Sequence, residues 1–190
     1  MEIYRLSELG VEKKREAARF IAEQFEDLFR FKRQSQKRLR NLLEQALVES
    51  QCIVMLDDEK IIGLVTISTT TKPSLSISRR QVQKILGYGQ GWLFCLRFMN
   101  SEINLGGTDV YLSTLAVHPD YRRQGIATQL IQWVIQNHPQ NTYLLEVNKV
   151  NKGAIRLYES LGFQVFKRKK QYFAKQSRSN ELLYMKRMVN

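Results

Sequence analysis

The sequence is poor in the residues that punctuate or staple a chain. It has only two cysteines and three prolines in 190 residues. Cys52 and Cys95 lie far apart, each within an apolar stretch, which argues against a disulfide framework and for buried thiols in a reducing, cytoplasmic compartment. No apolar run is longer than Trp92–Leu96. That is far short of the roughly 20 residues a membrane helix needs, and MEIYRLSELGVEKKRE has no apolar h-region, so neither a span nor a secretory leader is expected. The chain also lacks repeats, low-complexity tracts and linkers rich in Pro, Gly or Ser. One domain of ordinary size, with a real core, is the expectation. Acids are scarce as well: 18 Asp and Glu face 30 Lys and Arg, for a formal net charge of +12. That balance disfavours a cationic small molecule as partner and suits an anionic one, while saying little about fold. Basic residues crowd Arg30, Lys32, Arg33, Lys37, Arg38 and Arg40, and again Lys167 to Lys170. Each run is read first as a solvated face and only second as a nucleic-acid footprint.

Hydrophobic periodicity, by contrast, is plentiful. Glu2 to Leu6 can form a short strand, and Glu12 to Phe29 reads as a helix with Ala17, Phe20, Ile21, Phe25 and Leu28 at helical spacings. A second helix from about Gln36 to Glu49 presents Leu39, Leu42, Leu43, Ala46 and Leu47 on one side. Cys52 to Leu56 and Ile61 to Ile67 are β-rich runs joined by DDEK, a hairpin. A polar stretch, Ser68 to Ser78, leads into QVQKILGYGQGWLFCLRFMN, which looks helical but is interrupted by Gly87, Gly89 and Gly91. Beyond it the order is strand Val110–Val117, helix Ile126–Gln136, strand Thr142–Val147 and helix Lys152–Leu161, with Gly162 expected as a left-handed C-cap and Phe163 packing back. Alternating strands and helices indicate an α/β layer architecture.

Between the first of those strands and its helix stands HPDYRRQGIATQL, His118 to Leu130. Proline ends the strand, because it cannot donate to a ladder and restricts the residue before it. The loop is either a tight turn with a solvated charge cluster or a cradle of backbone N–H groups for a phosphate. A helix N-terminus presents free N–H groups and partial positive charge, so the second reading needs no special side chain. Gly125 allows a bulky group close to the backbone and Ala127 keeps the next contact small. The spacing is too short for a dinucleotide fingerprint, and the GK[ST] ending of a nucleoside-triphosphate loop is absent. Upstream, GYGQGW puts Trp92 where a third glycine would fall and follows a helix-like run, which disqualifies it as a Rossmann turn.

Arg122-Arg123-Gln124-Gly125-Ile126-Ala127 resembles the R/Q-x-x-G-x-G/A signature of the GCN5-related N-acetyltransferases (GNAT), and it follows the strand LSTLAVHPDY as it does in that family. EVNKVNKGAIRLYESLGF, Glu146 to Phe163, resembles the second family motif. Together the two motifs cover roughly Asp109 to Tyr172, in the strand and helix order expected of the layer architecture. The resemblance implies a GNAT fold of the α/β (α+β) class, a central mixed twisted sheet of about six to seven strands flanked by helices on both faces. It implies a single domain over residues 1–190 with an extended insertion at about 69–104. It also implies acetyl-CoA as co-substrate, with no metal. Arg122, Arg123, Gln124, Gly125, Ile126 and Ala127 would hold the pyrophosphate through backbone N–H groups, with Thr128 adding its hydroxyl. Leu115, Ala116 and Val117 would pair with the pantetheine arm in the manner of β-augmentation. A backbone N–H near Leu115 or Ala116 would stabilise the developing oxyanion, and Asn151 would bond the cofactor from the far side.

Acetyl transfer to an amine needs a base for the ammonium proton and an acid for the departing thiolate. Tyr158 stands where the family places that acid; otherwise it fills the gap between helix and sheet. Glu146 is the candidate base, set in an LEV context shared with related enzymes that modify protein N-termini. Alternation places Leu144 and Glu146 on one face and Leu145 and Val147 on the other, and partial desolvation would raise its pKa; its other reading is a strand carboxylate paired with a basic neighbour, and a water relay would replace it as base. His118 and His138 compete poorly, being at a strand end and in a connecting loop. The acceptor, whether a protein N-terminus, a lysine or a small-molecule amine, stays open, as do a homodimer and the acyl preference. The insertion is a substrate flap, a membrane-surface or partner contact, or a helix completing the core. The alternative from another class is a regulatory or nucleic-acid-binding module that keeps the fold and binds CoA without turnover.

Overall fold

The computed structural model describes residues 1–24, 33–95, 105–138, 142–170 and 181–188. Its core is one seven-stranded sheet in the order β1-β2-β3-β4-β5-β7-β6, comprising β1 (Glu2–Arg5), β2 (Cys52–Asp57), β3 (Lys60–Ser68), β4 (Asp109–Val117), β5 (Thr142–Asn148), β6 (Gln164–Lys170) and β7 (Glu181–Met188). β4 and β5 run parallel, and every other neighbouring pair is antiparallel. The mixed sheet with helices on both faces is the architecture that the motifs implied.

Period-2 alternation divides the apolar residues between two cores. On one face, helices α1 (Gly10–Gln24), α2 (Arg33–Ala46), α3 (Arg79–Leu86) and α4 (Tyr88–Phe94) pack with Cys52, Val54, Leu64 and Ala116. On the other, α5 (Ile126–Asn137) and α6 (Lys152–Ser160) cover Ile53, Val65, Val110, Tyr143, Leu145, Val147 and Met185. Leu39, Leu42, Leu43 and Ala46 of the second-helix stripe are buried as expected, but the helix runs three residues earlier at each end than about Gln36–Glu49, and buried Leu47 lies past it in a β-bridge with Leu75. The first helix starts two residues before the expected Glu12. Phe25 and Leu28 lie outside the described residues, as do Arg30 and Lys32 of the first basic run and Leu96 to Asn104 of the insertion.

The insertion forms two helices broken at Gly87, and Val82, Leu86, Phe94 and Cys95 complete the first core. Both cysteines are free and buried; burial pushes the Cys52 thiol up to about 12. Two strands had no separate reading in the sequence, β6 and β7. The KRKK run is part of β6, an edge strand, with Lys167, Arg168 and Lys170 exposed. Charged edges of this kind block pairing with further chains.

Candidate active site

The site starts from one backbone irregularity and one loss of pairing, both in β4. Thr66 lies opposite Thr114 but Ile67 opposite Leu112, so Ser113 is an extra residue, a β-bulge. The Ser113 hydroxyl is 3.0 Å from that of Ser68, which in turn bonds the Ser74 hydroxyl at 3.1 Å and accepts the Ser74 N–H at 2.9 Å, tying the bulge to the start of the insertion. On the other side of β4, pairing with β5 ends at Leu112 opposite Leu145, although both strands continue. Past that point the two strands no longer pair, and the break in the ladder is a slot along the β4 edge.

Register decides which backbone groups face the slot. His118 donates its N–H to the Ile62 carbonyl at 2.8 Å. Hydrogen-bonded and non-hydrogen-bonded pairs alternate along an antiparallel ladder, so Ala116 opposite Leu64 spends its groups on β3. Leu115 and Val117 turn theirs the other way, toward the slot. Of the two N–H groups considered, that of Leu115 and not that of Ala116 faces the slot. The Val117 carbonyl accepts Arg122 Nε at 3.2 Å, which agrees with its direction.

The loop at the mouth of the slot is held by its own side chains. His118 caps the short turn Pro119–Tyr121, its Nδ1 accepting the Asp120 N–H at 3.4 Å, and its ring stacks on Phe20 at 6.4 Å. Tyr121 donates to Asp57 at 3.1 Å, which pins the loop to the β2–β3 hairpin, and Gln124 Nε2 donates to the Asp120 carbonyl at 3.2 Å. Arg122 folds back onto Val117 and reaches Gln24 at 3.4 Å rather than standing at the mouth. Arg123 and Gly125 both have positive φ, 67° and 80°, with Gln124 between them on the negative side. Such alternation curls successive N–H groups into an anion-binding concavity. A positive φ at a non-glycine residue is a strained arrangement that no residue pattern announced, and it is one that tends to persist at functional sites.

Gly125 is the N-cap of α5 and no side chain caps the helix, so its first N–H groups are left for a ligand or water. The helix is brought to the slot by Gly63 of β3. A Cβ there would stand 2.8 Å from Ile126 Cγ2 and 3.2 Å from Leu130 Cδ1, so only glycine admits α5 this close. The Ile126 side chain is therefore core, leaving only its N–H for a ligand; Ala127 and Thr128 are half-buried beside it.

Tyr158 on α6 is 8% exposed, packed edge-on against Phe163 at 6.0 Å, and desolvation pushes its phenol up to about 12. Gly162 has φ 84° and Phe163 is buried, as the C-cap reading required. Asn151 caps α6, its Oδ1 accepting the Ala154 N–H at 3.1 Å, so this side chain has a structural duty besides any toward a ligand. Glu146 is half-buried on β5, opposite Tyr184 of β7. Leu145 and Val147 lie in the core beneath α5 and α6, which puts Glu146 on the opposite face. Tyr158 and Glu146 thus belong to opposite faces of the sheet. Among the described residues no group of three or more His, Cys, Asp or Glu side chains could hold a metal ion, and no helix is long and apolar enough to cross a membrane.

The bare N-cap, the concave turn and the unpaired β4 edge fit a phosphorylated ligand with an extended arm. The family model described as Acetyltransferase (GNAT) family matches residues 15–163. N-alpha-acetyltransferase 30 of Schizosaccharomyces pombe is 35% identical over 86 residues, 44% of this chain and 55% of that protein. The [ribosomal protein bS18]-alanine N-acetyltransferase of Escherichia coli K12 is 40% identical over 65 residues, 33% of this chain and 44% of that protein. The matches thus span about half the length of these relatives. Among solved structures, an N-acetyltransferase from Staphylococcus aureus Mu50 superposes with a TM-score of 0.64 at 14% identity, covering 98% of this chain and 100% of that one. That likeness concerns the fold.

Proposed function

The chain belongs to the acetyltransferase (GNAT) family, and from that premise we propose that it transfers an acetyl group from acetyl-CoA to a primary amine by direct attack on the thioester. The observation that carries this reading is the slot itself, where β4 leaves β5 after Leu112. When bound, acetyl-CoA supplies an activated acetyl thioester. The concave turn at Arg123–Gly125 and the first N–H groups of α5 would hold its pyrophosphate, with the charge of Arg123 beside them. The slot-facing groups of Leu115 and Val117 would pair with its arm as a further strand. For the Val117 carbonyl this requires Arg122 to swing off, which frees its guanidinium for the phosphates. The Leu115 N–H would face the oxygen on which negative charge develops.

Tyr158 enters from the face of α5 and α6. Its buried phenol stays protonated throughout the neutral range, the form needed to give a proton to the departing thiolate. Glu146 enters from the opposite face and would take the ammonium proton, directly or through water. Donor and acceptor thus arrive from opposite sides of the sheet. The acceptor we favour is a protein N-terminus, because one relative is named an N-alpha-acetyltransferase and the other an alanine N-acetyltransferase of a ribosomal protein.

Thermal unfolding with and without acetyl-CoA tests the cradle; at 100 times Kd the stabilisation should be about 2.7 kcal/mol. Thiol release in the presence of N-terminal peptides tests the transfer. Absence of any shift at millimolar acetyl-CoA overturns the reading, and a shift without transfer to any amine favours a binding module.

A further inference from the structure

The face of the sheet that carries Glu146 has an organised neighbour that the reaction does not use. Glu146 pairs in register with Tyr184, and Tyr184 pairs on its other side with Lys167 of β6. Residues paired across neighbouring strands project to the same face. The contacts agree, since Lys167 Nζ stands over the Tyr184 ring at 5.4 Å. A second bulge, between Val165 and Lys167, brings Phe166 beside them, its ring edge-on to Tyr184 at 6.4 Å. Lys186, two residues along from Tyr184 and therefore on the same face, places its Nζ over the Phe166 ring at 5.9 Å. Tyr184 is almost wholly buried, whereas Phe166 is 45% exposed.

Two ammonium groups are thus braced on aromatic rings in a row that begins at the candidate base. With strands about 4.8 Å apart, Lys167 lies roughly 10 Å from Glu146, the length of about three extended residues. We propose that this row reads acceptor chemistry, and that the preferred acceptor is a peptide N-terminus followed within its first few residues by aspartate or glutamate. The inference rests on the acetyl transfer proposed above. In it, Glu146 receives the amino group, Tyr184 and Phe166 form the floor, and Lys167 and Lys186 meet the acidic side chains. The same placement penalises lysine or arginine at those positions through like-charge contact.

The test uses the whole chain with acetyl-CoA and three peptides that share their first residue and differ at positions two to four, carrying acidic, neutral or lysine side chains. The expected result is kcat/KM about tenfold higher for the acidic than for the neutral peptide, mostly through KM, and lower still for the lysine peptide. Raising the salt should narrow the gap. In the Lys167→Glu/Lys186→Glu double variant the ranking should reverse. Lys167→Gln/Lys186→Gln, which keeps the side-chain bulk, should flatten it. Equal or reversed ranking in the wild-type chain, or a ranking that survives both double variants, overturns the proposal while the transfer reading stands. Failure to acetylate any of the three overturns both.

Discussion

The two faces of the sheet are built differently. Beneath α5 and α6 the core draws on β2, β3 and β7, but the candidate cofactor-binding groups lie in one segment, Leu115 to Tyr158, and are mostly backbone N–H and C=O groups. The face opposite depends on residues far apart in the chain, with Phe20 stacked on His118, Ser68 and Ser74 bonded to Ser113, and Glu146 in register with Tyr184 and Lys167. A cradle for a fixed ligand can be made by local geometry, which survives changes in most side chains. A surface that chooses among acceptors needs particular side chains, and these are brought together only by the sheet.

Replacement of single groups should separate these two sides. Tyr158→Phe removes the proposed proton donor while keeping the ring against Phe163, so turnover should fall by about 10²-fold or more with the acetyl-CoA stabilisation retained. Full turnover would end the acid assignment and leave the fold intact. Gly63→Ala should then cost about 1–3 kcal/mol by forcing α5 away from β3, and it should weaken acetyl-CoA binding more than a distant core change of equal cost. Chemical denaturation paired with a binding titration reads both. Asn151→Ala should cost about 0.5–2 kcal/mol as a lost helix cap. A rise in KM for acetyl-CoA on top of that loss would show that the side chain also meets the ligand.

The effect of pH is nil near neutrality and appears only in alkali. Tyr158 and Cys52 have raised pKa values in the folded chain, so the native state holds their protons after the unfolded chain has released them. Their contribution is complete below the ordinary values of 9.0 for the thiol and 10.0 for the phenol, and is lost as pH rises toward about 12. Urea midpoints should therefore decline from pH 9 upward, less steeply in Tyr158→Phe.

Much of the architecture was legible because it is written in local periodicity. The stripe Leu39, Leu42, Leu43 and Ala46 marks a helix at spacing 3.6, and the Gly162–Phe163 pair marks its own C-cap. The last two strands were harder, because QVFKRKK and ELLYMKRM carry charge at positions that only an edge strand or an open face tolerates. The positive φ at Arg123 was invisible as well, since arginine carries no preference for it. Nor did the sequence reveal that the Arg122 side chain folds back onto the carbonyl of Val117.

From residue types and spacing alone came the order of elements from β1 to α6, the break after His118, the glycine before α5 and the family motifs, because each depends on preferences within a few residues. Tertiary structure alone decided that Leu115 rather than Ala116 faces the slot, that Gly63 admits the helix, and that Glu146, Tyr184 and Lys167 form one row. Those facts depend on register, and register is set by pairing between strands distant in the chain, where a shift of one residue turns every side chain to the other face.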